Sequence, residues 1–486
     1  MLCVSLMPET TGQALAGLAE AAGAADLAEL RLDAMREFDL ARLLAHPPCP
    51  VIVTCRPRRE GGLYDGPEGA RLETLRQAAR LGARYIDVEH DAIAALGDVA
   101  PARTIVSYHN FHETPADLDA IYSRLTRTGA AVVKVAAHAN HILDTAPVLR
   151  LLRQATQPTI ALSMGPRGML TRILAPKFGA MLTYGAFGDG REAGPGQVTL
   201  REMRNLYRVG RIGPATRVYG VIADPVGHSL SPRIHNAAFA EIGFDAVYLP
   251  LWVEGDPAAF VEAMREFAFD GYSITIPHKQ AVMRAADEIE PVARRIGAVN
   301  TFQRRADGSL LATNTDWTAG MASIEAVVGA GWLRGKRALV MGAGGVGRAM
   351  TFGLKDRGAD VALADIDATR AAALAREVGA RTVNLGDLAG QACDILLNCT
   401  PIGMQPQTDA SAVPRQMLRE GMVVYDAVYN PLETRLLREA GAAGCRTVAG
   451  VDHFVRQAVE QFELWTGRRA PVEMMRRVVV EALRQA

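Results

Sequence analysis

The sequence predicts an α/β protein in two parts, a (β/α)8 barrel of the TIM type followed by a two-domain unit that ends in a Rossmann fold. Three observations carry this reading. Short apolar runs alternate with Ala/Leu/Arg-rich stretches eight times within about the first 200 residues, which is the signature of repeated strand–helix units. Residues 210–216 then interrupt the pattern with two Gly and one Pro, as a linker does. Beyond them, Gly342-Ala-Gly344-Gly345-Val-Gly347 follows an apolar strand and opens a helix, the setting in which glycines let a dinucleotide pyrophosphate approach a helix N-terminus.

The eight barrel strands are predicted near residues 3–6, 27–33, 51–56, 85–90, 104–109, 131–136, 159–164 and 180–186. A new strand–loop–helix series starts at Val218. A hairpin is predicted across 297–316, turning at Ala306-Asp307-Gly308. A fresh βαβ unit begins at Lys336. The expected domains are 1–212, 217–320 and 321–450, with C-terminal helices in 451–486 returning to the middle domain.

The bulk composition narrows the function classes. The 486 residues carry 53 Lys+Arg and 53 Asp+Glu, so no bulk charge favours nucleic acid or an anionic membrane surface. Small anionic substrates need only local basic pockets. Six cysteines form no Cys-x-x-Cys pair and no Cys/His set with zinc spacing, so free thiols in a reducing cytosol and no metal are expected. The start of the chain lacks a basic segment followed by a long apolar one, so no signal peptide is expected. There is no run of eighteen apolar residues to span a membrane.

In the barrel, the chemistry-bearing residues gather at the carboxyl ends of the predicted strands, where barrel enzymes build their sites. Glu29, Arg31 and Asp33 alternate and are predicted to share the inward face, as an ion-pair network or as ligands for a substrate. Arg56 precedes Glu60-Gly61-Gly62. Asp87 and Glu89 share a face, and the fifth strand ends in Ser107-Tyr108-His109. Lys134 sits inside the apolar run Val132-Val133-Lys134-Val135. It either snorkels to solvent or is a desolvated amine able to form a Schiff base with a ketone. A histidine on the neighbouring strand is then placed to move a proton beside that carbonyl.

These strings, with Thr54-x-Arg56, Met164-Gly165, Thr171-Arg172 and Pro195-Gly196-Gln197, resemble the type I 3-dehydroquinate dehydratases over about residues 2–205. The resemblance implies that Lys134 condenses with the C3 ketone, that His109 moves the C2 proton and helps water leave from C1, and that Glu60 orients His109. It implies that Arg172 binds the carboxylate and that Glu29, Arg31 and Arg56 hold the hydroxyls and the charge network. Gln197 belongs to the closing loop. Two departures stand out. Ala193 replaces a serine of that loop, and the chain begins at the first strand with no room for the hairpin that closes the barrel bottom in stand-alone bacterial members.

In the second part, Gly227-His228-Ser229-Leu230-Ser231-Pro232 places two hydroxyls just before a predicted helix, as substrate ligands or as a helix cap. Ser273-Ile274-Thr275-Ile276-Pro277-His278-Lys279 ends a strand with a lysine. Asn300 and Asp316 flank the hairpin. With Asn398-Cys-Thr400-Pro401, Tyr425-Asp426-x-x-Tyr429-Asn430-Pro431, Gly450-Val451-Asp452 and Gln457, these resemble the shikimate dehydrogenases over about 217–486. The resemblance implies Lys279 and Asp316 as an acid–base pair and Ser229 and Ser231 on the carboxylate. Asn300, Thr275 and Gln457 fall on the ring hydroxyls, with Thr315 and Tyr429 assisting. Gly342, Gly344, Gly345, Gly347, Thr400 and Gly450 fall on the dinucleotide. Asp365 ends the second strand of this fold eighteen residues after Gly347, where an acidic group suits NAD over NADP.

The implied protein dehydrates 3-dehydroquinate and reduces 3-dehydroshikimate, with small-molecule partners, a nicotinamide cofactor and a cytoplasmic location. Two rivals are a non-catalytic sensor of quinate metabolism and a catabolic fusion acting oxidatively on quinate or shikimate. The presence of Lys134, His109, Lys279 and Asp316 argues against the sensor, and Ser231 in place of a bulkier Thr favours shikimate.

Overall fold

The computed structural model describes residues 1–97, 99, 103–188, 190, 194 and 196–485. It divides into two units, Met1–Arg217 and Val218–Ala486. In the first, eight parallel strands follow one another: β1 (Leu2–Leu6), β2 (Leu27–Arg31), β3 (Val51–Thr54), β4 (Tyr85–Glu89), β5 (Thr104–Asn110), β6 (Val132–His138), β7 (Thr159–Met164) and β8 (Thr183–Gly185). Their order is β7-β6-β5-β4-β3-β2-β1-β8. Met181, just before β8, donates its N–H to Thr159 O of β7 at 2.8 Å, which draws the two ends of the sheet together.

Side chains alternate along each strand, so the interior is built in layers. Cys3, Leu27, Ile52, Tyr85, Ile105, Val132, Ile160 and Leu182 form an apolar layer. Two residues further along the strands lie Ser5, Glu29, Thr54, Asp87, Ser107 and Lys134, all buried. The barrel is therefore dry below and charged near its mouth. One element differs from expectation: β2 stops at Arg31, and Asp33 lies in the one-turn helix Leu32–Ala34. Arg31 folds back on it through two hydrogen bonds of 2.9 and 2.7 Å, and Asp33 also accepts from Leu63 N at 3.0 Å. The carboxylate anchors a loop and ends the strand.

The second unit has two sheets. The first contains β9 (Arg217–Ala223), β10 (Ala246–Trp252), β11 (Gly271–Ile274), β12 (Glu288–Ile289), β13 (Thr301–Arg304) and β14 (Leu310–Thr313), ordered β10-β9-β11-β13-β14-β12. β13 and β14 are antiparallel, with Thr301 opposite Thr313. Asp307 closes their turn by accepting from Ser309 N at 2.9 Å. Asn314 then caps the helix Thr315–Val328 by accepting from Asp316 N and Trp317 N.

The second sheet is parallel throughout: β15 (Arg337–Met341), β16 (Asp360–Ala364), β17 (Arg381–Thr382), β18 (Ile395–Asn398), β19 (Val423–Asp426) and β20 (Arg446–Val448), ordered β17-β16-β15-β18-β19-β20. This is the doubly wound Rossmann order, with its switch point between β15 and β18. The helices Gly450–Thr466 and Val472–Gln485 pack in the core of the first sheet, where Phe462, Trp465, Met475 and Val479 meet Tyr219, Phe239 and Tyr248. Among the described residues no helix is long and apolar enough to cross a membrane, and no group of three His, Cys, Asp or Glu is arranged to hold a metal ion.

Candidate active sites

The first site is a cavity, partly open to solvent, at the carboxyl ends of the barrel strands. Its lining includes Glu29, Arg31, Arg56, Glu60, His109, Lys134, Arg172 and Gln197. β6 carries Lys134 inward because the flanking Val133 and Val135 face the other way, into the packing of the outer helices. The lysine is not alone in an apolar setting. Its Nζ lies 2.9 Å from Asp87 Oδ2 and 3.3 Å from Glu29 Oε1, and 4.7 Å from the centre of the Tyr184 ring.

Both carboxylates are held in turn. Burial pushes Glu29 up, but Lys134, Arg31 and the hydrogen bond from Ser5 together outweigh it and the group sits below its usual value. Glu29 accepts from Thr54 Oγ1 at 2.8 Å and from Ser5 Oγ. Asp87 is buried too, yet Arg56 and Lys134 hold its carboxyl far below the usual range. Arg56 reaches Asp87 at 2.7 Å and Glu89 at 2.6 Å and donates to Ser107 Oγ at 2.8 Å. Such a network is sound only when each charge is paired.

His109 pairs with the carboxylate of Glu60 through Nδ1 at 2.9 Å. In the β5–β6 register Ser107 faces Lys134 and His109 faces Ala136, so the imidazole sits one inward layer nearer the mouth than the lysine. Burial, then Arg56 and Lys134, drive His109 well below its ordinary value. Burial drives Glu60 up to about 7 against the pull of Arg56. Two glycines follow Glu60 for steric reasons. Gly61 has φ 72° and a Cβ there would fall 2.4 Å from the Phe111 ring, while a Cβ on Gly62 would fall 2.0 Å from Arg56 O. Gly196, with φ 71°, lies so close to Gly165 O that a Cβ would approach it to 2.2 Å, which seats Gln197 at the cavity. Ala193 and Pro195 lie outside the described residues.

The second site lies between the two sheets of the second unit. Lys279 Nζ donates to Asp316 Oδ2 at 2.5 Å, and both side chains are buried. Burial raises the Asp316 carboxyl, but Lys279 and then His453 pull it far below its usual value. Asn300 ties the hairpin to the following helix: its Oδ1 accepts from Thr315 N at 2.8 Å and its Nδ2 donates to Thr315 Oγ1 at 3.0 Å. Thr315 Oγ1 lies 3.5 Å from Gln457 O. Ser229 Oγ accepts from Ser231 N at 3.2 Å at the start of the helix Ser231–Glu241, while Leu230 caps that helix with no side-chain bond. Tyr429 stacks on Phe454 at 4.4 Å. Thr275 sits between β11 and Lys279.

The glycine-rich turn fits a dinucleotide. Gly342 has φ 97°, and a Cβ on Gly347 would fall 1.9 Å from Gly342 O. Gly344 caps the helix Gly345–Asp356 without a side chain and has no protein atom within 4 Å of its missing Cβ. A Cβ on Gly345 would fall 2.8 Å from Lys279 Cδ, so this turn and the Lys279–Asp316 pair belong to one cleft. Thr400 packs its methyl near Gly342, and Gly450 begins its helix where a Cβ would strike Val428 O at 2.3 Å. Asp365 accepts from Ala343 N at 2.6 Å, from Asp367 N at 2.8 Å and from Arg370 at 2.7 Å.

Comparisons with known proteins agree with this geometry. The family described as type I 3-dehydroquinase matches residues 2–214, the shikimate dehydrogenase substrate-binding domain matches 221–302, and the shikimate 5'-dehydrogenase C-terminal domain matches 450–480. The NADPH-binding domain of acetohydroxy acid isomeroreductase matches 332–441. A chloroplastic bifunctional 3-dehydroquinate dehydratase/shikimate dehydrogenase of Arabidopsis thaliana is 42% identical over 93% of this chain and 79% of its own. The chain belongs to the bifunctional 3-dehydroquinate dehydratase/shikimate dehydrogenase family. Its second unit is 41% identical, over 55% of this chain and 99% of the relative, to a shikimate dehydrogenase (NADP(+)) of Methanosarcina mazei. A solved shikimate dehydrogenase in complex with NADP+ aligns with TM-score 0.53 at 35% identity, covering 56% of this chain and 97% of its own. A quinate dehydrogenase from Corynebacterium glutamicum in complex with NAD aligns with TM-score 0.51 at 32% identity, covering 55% and 99%.

As a member of this bifunctional family the chain brings Glu29, Arg31, Arg56, Glu60, His109, Lys134, Arg172 and Gln197 to one cavity. Sequence reasoning passed over several neighbours. Ser5 and Tyr184 line the same cavity, and inward alternation on β1 and β8 would have found them. Asp87 was visible as an inward acid but not as the nearer partner of Lys134. In the dehydrogenase half, His453 was missed. Its Nε2 stands 3.7 Å from Asp316 Oδ1, and its Nδ1 is paired with the Tyr425 hydroxyl.

Proposed function

We propose that this bifunctional enzyme dehydrates 3-dehydroquinate in the barrel through a Schiff base on Lys134 and reduces the resulting 3-dehydroshikimate to shikimate in the second unit. The observation that carries the first half is a buried lysine between two carboxylates, sharing a cavity with a His109–Glu60 pair. Lys134 adds to the C3 ketone and water leaves, forming a protonated imine. The amine sheds its ammonium proton to attack and the carbinolamine takes one back as water leaves, so the iminium restores at Nζ the positive charge that Asp87 and Glu29 pair until the enamine forms. His109 takes the C2 proton, and the electron pair flows into the iminium. The C1 hydroxyl then leaves as water with a proton from His109, and hydrolysis of the imine frees Lys134. Arg172 takes the substrate carboxylate. Burial pulls that guanidinium down to about 10, a desolvation cost that an anion offsets. Glu29, Arg31, Arg56 and Gln197 position the ring.

In the second unit Lys279, fixed by Asp316, gives a proton to the C3 oxygen as the ketone is reduced. Ser229 and Ser231 take the carboxylate, and Thr275, Asn300, Tyr429 and Gln457 take the hydroxyls. Gly342, Gly344, Gly345, Gly347, Asp365, Thr400 and Gly450 hold the dinucleotide, whose nicotinamide supplies the hydride when bound.

We infer a preference for NAD. Where an arginine could clamp a 2′-phosphate, Ile366 is 84% exposed, and Asp365 stands beside it. Arg348 is committed elsewhere, to Glu377 and Ile296 O. Arg370 is engaged by Asp365. The dehydrogenases named above were solved with either cofactor, so these side chains, and not the fold, carry the inference. Four buried cysteines among the six free ones suit a reducing compartment, and we place the enzyme in the cytoplasm.

The test of the whole reading is a coupled assay. The chain is given 3-dehydroquinate and reduced cofactor, and shikimate is measured. Shikimate should form at a rate requiring both Lys134 and Lys279. Its absence, or faster oxidation of quinate than of shikimate, would favour the oxidative rival.

A further inference from the structure

Asp316 has two carboxylate oxygens and two basic neighbours. Oδ2 receives Lys279 Nζ at 2.5 Å. Oδ1 faces His453 Nε2 at 3.7 Å, within reach of a hydrogen bond after a small side-chain movement. The other imidazole nitrogen, Nδ1, meets the hydroxyl of Tyr425 at the end of β19. His453 lies on the first turn of the helix Gly450–Thr466 and is itself buried. Four side chains from three elements and one loop thus form a line: Lys279, Asp316, His453, Tyr425.

The line has a direction. Tyr425 is fully buried and its phenol is pushed well above its ordinary value, so it remains a donor across the working pH range. A phenol that donates to Nδ1 leaves the proton of a neutral imidazole on Nε2, the nitrogen that faces Asp316. We propose that His453 is a positioning residue for the dehydrogenase, which shares the charge of Asp316 and thereby loosens the hold of that carboxylate on the Lys279 proton.

This inference rests on the proposed acid–base role of Lys279 and Asp316. The sign does not depend on whether His453 is neutral or charged. An N–H donated to Oδ1, or a positive charge beside it, draws electron density away from Lys279 in either case. The other ionisable groups around the line are Cys399 and Asp426, whose charges act on Tyr425 alongside that of Asp316. Thr318, two residues on from Asp316, donates across to the partly buried Glu460 on the helix Gly450–Thr466, whose carboxyl burial pushes up to about 7 and on which the charge of Asp316 also acts.

Oxidation of shikimate needs Lys279 to accept the hydroxyl proton. The experiment is therefore the pH profile of kcat for shikimate oxidation in the full chain, for wild type, His453→Leu, His453→Gln and Tyr425→Phe. In His453→Leu the full carboxylate faces Lys279, and the half-maximal point of the acid limb should move up by about half a unit or more, with KM for shikimate changed less than twofold. His453→Gln, which retains a donor, should restore most of the shift. Tyr425→Phe, which frees the tautomer, should move the limb in the same direction by a smaller amount. Cofactor binding by fluorescence shows that each variant's second unit is folded. An unmoved limb in both His453→Leu and Tyr425→Phe would overturn the proposal, as would a Gln variant no better than Leu. Lys279→Met separates the two readings. If it leaves dehydrogenase activity intact, the acid–base assignment fails. If it abolishes activity while the His453 variants leave the limb unmoved, only the inference about His453 fails.

Discussion

His109 Nδ1 and Glu60 Oε2 are 2.9 Å apart, and burial moves the two groups in opposite directions, the imidazole well below its ordinary value and the carboxyl up to about 7. The proton in this contact decides which nitrogen of His109 is basic. An ionised Glu60 accepts from Nδ1–H and leaves the Nε2 lone pair free. A protonated Glu60 donates to Nδ1, and the ring proton moves to Nε2, which can no longer act as a base.

Dehydration should therefore fall as pH drops through about 7, the value to which Glu60 is raised. The kcat/KM profile should show that inflection in wild type. In Glu60→Gln it should disappear, with a rate lower by about 10–100-fold at pH 8, at or below the low end of the ~10²–10⁴-fold that a direct proton-transfer group contributes, because Glu60 acts through His109. An acid limb that persists unchanged in Glu60→Gln would assign the inflection to another group.

Borohydride added with 3-dehydroquinate should abolish the dehydratase and add mass to the peptide bearing Lys134, while the dehydrogenase stays active. Label on a different lysine would remove Lys134 from its role. Lys134→Met should also destabilise the barrel, by about 3–5 kcal/mol if the structure cannot relax, because Asp87 and Glu29 lose their ammonium. Its melting temperature should be measured beside its activity.

Two neighbouring glycines should respond differently. Gly345→Ala places a methyl 2.8 Å from Lys279 Cδ and should lower kcat of the dehydrogenase at least tenfold, with the dehydratase untouched. Gly344→Ala meets no protein atom within 4 Å, so its cost should appear as a higher KM for the dinucleotide. Equal effects on kcat from both would mean that Lys279 does not work against this turn.

For the cofactor, wild type should favour NAD in kcat/KM, and Asp365→Asn with Ile366→Arg should shift the ratio toward NADP. Two like charges at ~4 Å repel by up to ~4 kcal/mol at an effective dielectric near 20. Solvent, salt and Arg370 reduce this to ~1–2 kcal/mol, or roughly tenfold. A wild type that prefers NADP would show that Arg370 leaves Asp365 to take the phosphate.

Residues 218–486, expressed alone, should fold and oxidise shikimate, because that unit contains both of its sheets and every residue assigned to its site. An insoluble product, with the full chain soluble, would show that the first unit is needed to stabilise the second.

Much of this was legible in the sequence because it depends on local patterns. Alternation of apolar runs with helical stretches specifies a barrel, and inward parity along a strand places Glu29 and Lys134 on the same side of the sheet as the cavity. The glycine spacing after β15 specifies the turn, since a Cβ at Gly347 has nowhere to go. Motif order did the same for Lys279 and Asp316. What sequence order could not supply was the partner of each buried charge. Asp87 lies 47 residues from Lys134, and His453 lies far along the chain from Asp316. Their meeting depends on strand register and on the return of the C-terminal helix to the first sheet. Burial then sets the values of Glu60, His109 and Asp316, because the cost of a charge depends on what surrounds it and not on which residues precede it. The sequence determined which groups could react; the tertiary structure decided which of them are paired, and therefore which are held ready to exchange a proton.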